Sequence, residues 1–239
     1  EASIGVGNAS NANFINLTRN GSSDTASRNI IQLNLPANAT VTVTGSFTVT
    51  GESTIKRALV WPSSNGVPAT LVLTGASLSL QNVDFQDVIF NNGGSNLDLS
   101  TITGGSGDAG GNSMSGGGTL TFTTATTQTW NSTGGGNFSD VSKWTSRIPL
   151  PQDNVIFSSA FSGSPTITDD MLFTGNINFS SSTGSVTITA SYIGTNITEN
   201  VVLRSGVTIS GNSFYLNSRR STTLITCGGC TWSAVTQLS

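Results

Sequence analysis

Residues 129–157 read TWNSTGGGNFSDVSKWTSRIPLPQDNVIF and combine the features that decide the fold. The stretch holds two of the four tryptophans, Trp130 and Trp144, with mainly turn-forming residues between them. A buried indole ring needs an apolar surface for its face and an acceptor for its N–H group. We therefore expect both rings to pack in one core while the chain loops between them.

The end of the same stretch predicts a change of direction into a strand. Pro149 and Pro151 are expected to hold the chain extended, because proline fixes φ and restricts the residue before it. Asp153 then begins a turn that leads into a strand over 155–157. We interpret these residues, together with the two tryptophans, as a structural signature and not as a reaction centre.

Several motifs resemble known β-helical modules. The order of Trp, GGGNFS, KW and PxPxDxVxF within 130–157 resembles a repeat of bacterial surface proteins of the autotransporter kind. The PLPQD segment at 149–153, with NVDFQD at 82–87 and GGSGDAGGNS at 104–113, is similar to β-helical appendage proteins of phages, such as tail-fibre modules. The resemblance covers about residues 55–160. It implies a parallel β-helix that serves as a fibre, stalk or adhesin, and it supplies no catalytic residue.

The composition favours a folded, all-β chain with few charges. Charged residues are 9% of the chain, well below the roughly 25% of an ordinary soluble domain, whereas hydrophobic residues are 35%. Val, Ile and Thr dominate the alternating positions, which favours strands over helices. The sequence contains no apolar run of membrane length, so we expect no membrane insertion.

Short strands with frequent breaks predict an irregular β-solenoid, or parallel β-helix. Alternation at Ile31, Leu33 and Leu35 is followed by further short strands that Gly, Asn or a shift of phase interrupts. One such shift, at residues 81–82, indicates a tight corner or a bulge. The alternative is a pair of β-sandwich domains, which would prefer longer strands and hairpin turns.

The same pattern divides the chain into four segments. Residues 1–29 form an N-terminal arm, 30–103 a first β-rich domain, and 119–239 a second β-rich domain. Residues 104–118 are so rich in glycine that we expect a linker there without a regular element.

The N-terminal arm is poor in apolar residues and is expected to be a loose leader or a strand that pairs with another subunit. Its apolar side chains are the predicted subunit contacts: Ile4, Val6, Phe14, Ile15 and Leu17. This hypothesis makes the protein a homo-oligomer or a filament.

The chain contains no histidine, which excludes Ser-His-Asp and Cys-His catalysis and removes the commonest zinc ligand. Glycoside hydrolysis needs only two carboxylates, and Asp84 with Asp87 is the best pair, followed by Asp169 with Asp170. We expect both pairs to be ordinary turn residues, with Asp84 and Asp87 facing solvent. Asp108 alone is too little for a calcium site. The prediction is therefore a protein without enzymatic activity, metal site or cofactor.

Cys227 and Cys230 enclose a Gly-Gly turn. A short disulfide there would pin the end of a strand in an oxidising compartment, and a link to a neighbouring subunit is the alternative.

The composition and the resemblance together predict an extracellular structural module, located on a cell surface or a virion. A net charge of −3 argues against a nucleic-acid partner. The first hypothesis is a self-assembling, adhesive solenoid of a phage tail fibre or surface appendage. The alternatives are a subunit of a pilus-like filament joined by donated strands, and a carbohydrate-binding or polysaccharide-depolymerising domain. In the last case Trp61 or Trp232 would hold the rings of surface glycans.

Overall fold

The protein is all-β in a computed structural model that describes residues 2–3, 10–21, 31–171, 173–190, 195–197, 200–211, 214–216, 225–233 and 236–238. Every ladder between strands in this part of the chain is parallel. Antiparallel hairpins, which a β-sandwich requires, are therefore absent from the ladders of the described residues. The chain forms two compact units, Glu1–Thr124 and Ala125–Ser239.

The first unit consists of strands of two to eleven residues, and several of them, such as Ile31–Leu35 and Ala69–Val72, bury alternate side chains. They are β1 (Ala2–Ser3), β2 (Ala12–Asn20), β3 (Ile31–Leu35), β4 (Thr40–Thr50), β5 (Ala58–Pro62), β6 (Ala69–Val72), β7 (Ser77–Phe85), β8 (Val88–Asn91), β9 (Leu97–Asp98), β10 (Thr103–Asp108), β11 (Ser113–Ser115) and β12 (Leu120–Thr121).

The long strands of this unit change partners along their length. The first part of β4 pairs with β6 and its second part with β7, while the end of β7 pairs with β5. The phase shift predicted at residues 81–82 is the corner at which β7 makes this change, and Asn82 has a positive φ of 49° there. The buried side chains form one core, with Leu35, Phe47, Leu71 and Phe85 fully buried.

Residues 104–118 belong to the sheet instead of forming the expected linker. They contribute most of β10 and all of β11, which pair in parallel with β7 and β8. Gly104 and Gly111 have positive φ values of 73° and 71°, and a Cβ would lie 1.7 Å and 2.0 Å from side-chain oxygens of Asn82 and Asp87. These glycines let neighbouring corners pack closely, so a high glycine content here marks corners and not a boundary.

Part of the predicted N-terminal arm also belongs to the first unit. Strand β2 pairs with β4 of the same chain. Leu17 is buried in the core of the same unit, and Phe14 packs against that core while staying partly exposed; their role as subunit contacts stays a prediction. Only alternate residues of a strand need to be apolar, which is why a segment this polar can join the sheet. Ile15 is 74% exposed, and Ile4 and Val6 lie outside the described residues.

The second unit contains three parallel sheets and a short 3-10 helix, Val141–Lys143. Its strands are β13 (Thr127–Trp130), β14 (Gly136–Asn137), β15 (Asn154–Phe157), β16 (Thr166–Asp169), β17 (Phe173–Thr174), β18 (Asn176–Asn178), β19 (Val186–Ala190), β20 (Thr195–Ile197), β21 (Val201–Arg204), β22 (Val207–Gly211), β23 (Phe214–Leu216), β24 (Ile225–Gly228), β25 (Thr231–Trp232) and β26 (Thr236–Leu238).

From β15 onward, successive strands of this unit fall on successive sheets. The first sheet has the order β13-β15-β18-β21-β24, the second β14-β16-β19-β22-β25, and the third β17-β20-β23-β26. After β13 and β14, the chain therefore visits the three sheets in turn and adds one parallel strand to each. Inward residues such as Val155, Ile167, Ile188 and Val207 are fully buried in a single core.

Candidate functional site

An aromatic cluster fills one end of the core of the second unit. The rings of Trp130 and Trp144 meet edge to face with centroids 5.1 Å apart, and both contact Phe138 and Phe157. Phe157 in turn stacks on Phe179 at 4.0 Å. As the sequence predicts, the two tryptophans share one core.

The two indole N–H groups differ in their hydrogen bonding. Trp144 Nε1 donates to the Phe138 carbonyl oxygen at 2.8 Å. Trp130 Nε1 is buried and has no acceptor among the described residues, which departs from the sequence expectation. The cluster is closed to solvent and has a packing role.

The predicted proline turn is held by a buried carboxylate. Asp153 is fully buried, and Asn154 begins β15 directly after it. Asp153 Oδ2 accepts a hydrogen bond from the Leu150 backbone N–H at 2.7 Å and pairs with Arg147 Nη1 at 2.6 Å. Its Oδ1 accepts from the Thr126 backbone N–H at 2.8 Å. Pro149 and Pro151, which flank Leu150, are buried as well. Asp153 therefore joins distant segments of the chain and is structural.

Asp84 is buried, and the prediction that it faces solvent was wrong. Asp84 Oδ1 accepts a hydrogen bond from Arg57 Nε at 2.7 Å. The side chain of Arg57 is 6% exposed and that of Asp84 is 8% exposed. The same guanidinium donates to the carbonyl oxygens of Gly104 and Gly105, each at 2.7 Å. Burial raises the pKa of Asp84 above its usual value, and the adjacent Arg57 opposes that rise. The ion pair ties one corner to the next.

Asp87 is also buried at a corner, where its φ is 53°. Its Oδ2 accepts from the Gly66 backbone N–H at 2.8 Å. A glycosidase needs both carboxylates to reach a sugar in a cleft. Asp84 pairs with Arg57, and the side chains of Asp84 and Asp87 are both buried. Their surroundings are therefore those of residues that stabilise corners of the fold.

The remaining candidate carboxylates also bind backbone or neighbouring side chains. Asp169 is fully buried and accepts from the Met171 N–H, while Asp170 accepts from the Ser139 N–H at 2.9 Å and its hydroxyl at 2.6 Å. Asp108 Oδ1 accepts from Gly110 N–H and Asn112 Nδ2. No cluster of three or more His, Cys, Asp or Glu residues suited to a metal ion occurs in the described part of the chain.

Cys227 and Cys230 form a disulfide across the Gly-Gly turn between β24 and β25. Their Cα atoms are 5.3 Å apart. The bond lies where β24 ends, in a stretch of exposed residues.

The two tryptophans considered as sugar platforms are half-buried. Trp61 lies on β5, and its Nε1 atom is buried without a partner among the described residues. Trp232 lies on β25 and packs against the core of the second unit. Both positions leave only part of an indole face for a sugar.

The second sheet carries an ordered set of hydroxyl groups that the sequence reasoning missed. The outward side chains on β16, β19, β22 and β25 are hydroxyl residues that lie opposite one another in register. We call this set the threonine array: Thr166, Thr168, Thr187, Thr189, Thr208, Ser210 and Thr231. The signal in the sequence was the triplet TIT, TIT and TIS at equal intervals along the chain.

Comparisons with protein-family models, with curated proteins and with solved structures found no match. Among the described residues, no helix is long and apolar enough to cross a membrane.

Proposed function

We propose that this chain is a non-enzymatic structural module with a β-solenoid architecture, which serves as a rigid extracellular fibre or surface appendage. The observation that carries the proposal is the cyclic strand order of the second unit. Strands β18, β19 and β20 lie on the first, second and third sheets, and β21, β22 and β23 repeat that order. This order supports the solenoid proposal, because a solenoid adds one parallel strand to each of its sheets per circuit.

The polar side chains support a structural role. Asp84, Asp87 and Asp153 are buried and bind backbone groups or an arginine of the same unit. Such contacts stabilise corners between stacked strands, because each unpaired buried polar group would be costly.

The disulfide and the scarcity of charge support an extracellular location. Disulfides form and persist mainly in oxidising compartments. A fibre on a cell surface or a virion fits both features. The resemblance of residues 55–160 to phage and autotransporter modules favours the same location.

Self-association is part of this proposal, and Ile15 is its candidate contact. Ile15 is 74% exposed on β2, the largest exposed fraction among the exposed large apolar side chains of the described residues. An exposed apolar side chain on the surface of a sheet gains stability when a second copy covers it.

Sedimentation velocity and electron microscopy test the proposal together. The full chain is expected to form concentration-dependent oligomers or elongated assemblies, and Ile15→Asp is expected to shift them toward monomer. Val141→Asp is the control, because Val141 is 57% exposed but lies on the 3-10 helix of the second unit. A monomer at every concentration would refute self-association, and release of reducing sugars from polysaccharides would refute the non-enzymatic role.

A further inference from the structure

The threonine array has a two-dimensional regularity that no other described outward face of the second unit shares. One column is Thr166, Thr187, Thr208 and Thr231, and the next is Thr168, Thr189 and Ser210. The same number of residues separates Thr166 from Thr187 as Thr187 from Thr208. Outward positions of the first sheet are mixed by comparison and include Asn154, Ile156, Asn178, Val202 and Arg204.

Sheet geometry sets the spacing of these hydroxyl groups. Neighbouring strands are about 4.8 Å apart, and residues two positions apart on a strand are separated by about 6.6 Å. The backbone positions of the array thus form a nearly rectangular lattice with these two repeats, and each position carries one hydroxyl group. One column of the array spans four strands, β16, β19, β22 and β25, and the other spans the first three of them.

The strands that carry the array are held by buried side chains on their opposite face. Ile167, Ile188 and Ile209 alternate with the threonines and are 0%, 0% and 3% exposed. Threonine is β-branched, so its side chain has few rotamers and its hydroxyl and methyl groups keep defined directions. A ligand that binds this face therefore loses little free energy to the ordering of protein side chains.

The chemistry of the face selects a neutral and periodic ligand. No charged side chain occurs among the seven residues of the array, which excludes an ionic basis for recognising a charged polymer. The array also contains no aromatic ring on which a sugar could stack. Each threonine instead presents a hydroxyl that donates and accepts like water, beside a small apolar methyl group.

From these properties we infer that the threonine array binds the surface of ice. Crystalline water is neutral, repeats in two dimensions, and offers a donor or an acceptor at each lattice position. The threonine hydroxyls take the place of lattice waters, and the methyl groups fill the gaps between them. The inference depends on the observed strand register and goes beyond the proposed structural role, so either can fail without the other.

The test uses the full chain, a double variant of the array and a matched control. Thr187→Tyr with Thr208→Tyr places bulky rings within one column, whereas Val202→Tyr places the same ring on the outward face of the first sheet. Circular dichroism and thermal unfolding establish that each variant is folded. Partition of labelled protein into a slowly growing ice front, and thermal hysteresis of ice crystals, measure binding.

We expect the unmodified chain and Val202→Tyr to enter the ice and to produce thermal hysteresis, and the double variant to lose both. The milder double change to valine keeps the shape and removes the hydroxyls, so a partial loss is expected there. The inference is overturned if the unmodified chain is excluded from ice, or if the double tyrosine variant binds ice as well as the control. Pull-down on crystalline cellulose and chitin covers the competing ligand: retention there without entry into ice would assign the face to neutral polysaccharide.

Discussion

At the scale of single residues, buried or hydrogen-bonded carboxylates hold the turns of this protein. Asp84, Asp87 and Asp153 each link segments that are distant in sequence, and Arg57 reaches the Gly104 carbonyl across 47 positions. The chain has few charged residues, and those at corners form hydrogen bonds with backbone N–H and carbonyl groups. A buried charge of this kind is costly to leave unpaired.

Asp84→Asn is expected to be strongly destabilising. The substitution keeps the size of the side chain but leaves the buried Arg57 guanidinium without its counter-charge, and removal of one partner of a buried pair costs about 3–5 kcal/mol. Urea unfolding measures the loss. Glu52→Gln is the control, because the Glu52–Lys56 pair is about one-third exposed and such pairs contribute about 1 kcal/mol or less. Equal effects of the two changes would contradict a structural role for the buried pair.

Ser142→Ala is expected to raise the pKa of Asp140 toward its usual value. Hydrogen bonds from the Ser142 side chain and then from its backbone N–H hold that pKa below the ordinary range. A carboxyl whose native pKa is lowered favours folding above the unfolded pKa, and this contribution is lost as the pH falls through the native pKa. The variant should therefore lose part of the stability that Asp140 contributes at neutral pH.

A carboxyl-carbon NMR titration checks this prediction with an internal reference. Ser100 holds the pKa of Asp98 low through the same arrangement, with its hydroxyl at 2.6 Å and its N–H at 2.9 Å from Oδ1. In Ser142→Ala, the titration of Asp98 should stay unchanged, and Ser100→Ala should give the reverse pattern. A shift of both carboxyls in either variant would show a global change instead of a local hydrogen bond.

At the scale of elements, the strands are held in register by close corners, and the glycine run 134–136 illustrates how specific each position is. A Cβ on Gly135 would lie 2.1 Å from the Thr166 carbonyl oxygen, which belongs to the neighbouring strand β16. A Cβ on Gly134 would have only the Ser132 hydroxyl near it, at 3.8 Å. Adjacent glycines thus have different roles, and close approach of two backbones requires only one of them.

Gly135→Ala is expected to destabilise the second unit by about 2–3 kcal/mol, because the added methyl group must displace backbone atoms in a packed corner. Gly134→Ala should change the free energy of unfolding by less than about 1 kcal/mol, since the methyl group enters open space and restricts the unfolded chain. Chemical denaturation of the two variants measures the difference. Similar losses would show that the run acts through backbone flexibility and not through close packing.

At the scale of the whole molecule, the described residues are stabilised by two apolar cores and by backbone ladders, and they contain few exposed ion pairs. The described residues contain three ion pairs: Lys56–Glu52, Arg57–Asp84 and Arg147–Asp153. Only the first has both side chains substantially exposed. Screening by salt weakens exposed pairs much more than buried ones.

The free energy of unfolding is therefore expected to be nearly independent of salt. Raising NaCl from about 0.05 M to about 0.5 M should change it by less than about 1 kcal/mol, the most that one exposed pair contributes. Urea titrations at the two salt concentrations, with Glu52→Gln measured beside them, give the result. A loss of several kcal/mol would mean that exposed electrostatic networks support the fold.

Local sequence patterns correctly predicted strands, corners and the shared tryptophan core. The alternation of Val, Ile and Thr gives strand because one face of each segment must be apolar, and the phase shift at residues 81–82 marks a corner for the same reason. Trp130 and Trp144 pack together because large aromatic rings separated by a loop find a common core. These features depend on residues that are near one another along the chain.

Only the tertiary structure decided which polar residues are buried and which side chains align between strands. Asp84 looked like an exposed corner residue, but its partner Arg57 lies 27 positions earlier. Residues 104–118 looked like a linker because the strands that they pair with, β7 and β8, are also distant from them in the sequence. The threonine array was visible in the sequence as repeated triplets, yet its columns exist only because the parallel ladders between strands hold these residues in register. Parallel pairing joins residues that are distant in the sequence, and no local pattern of alternation specifies that register.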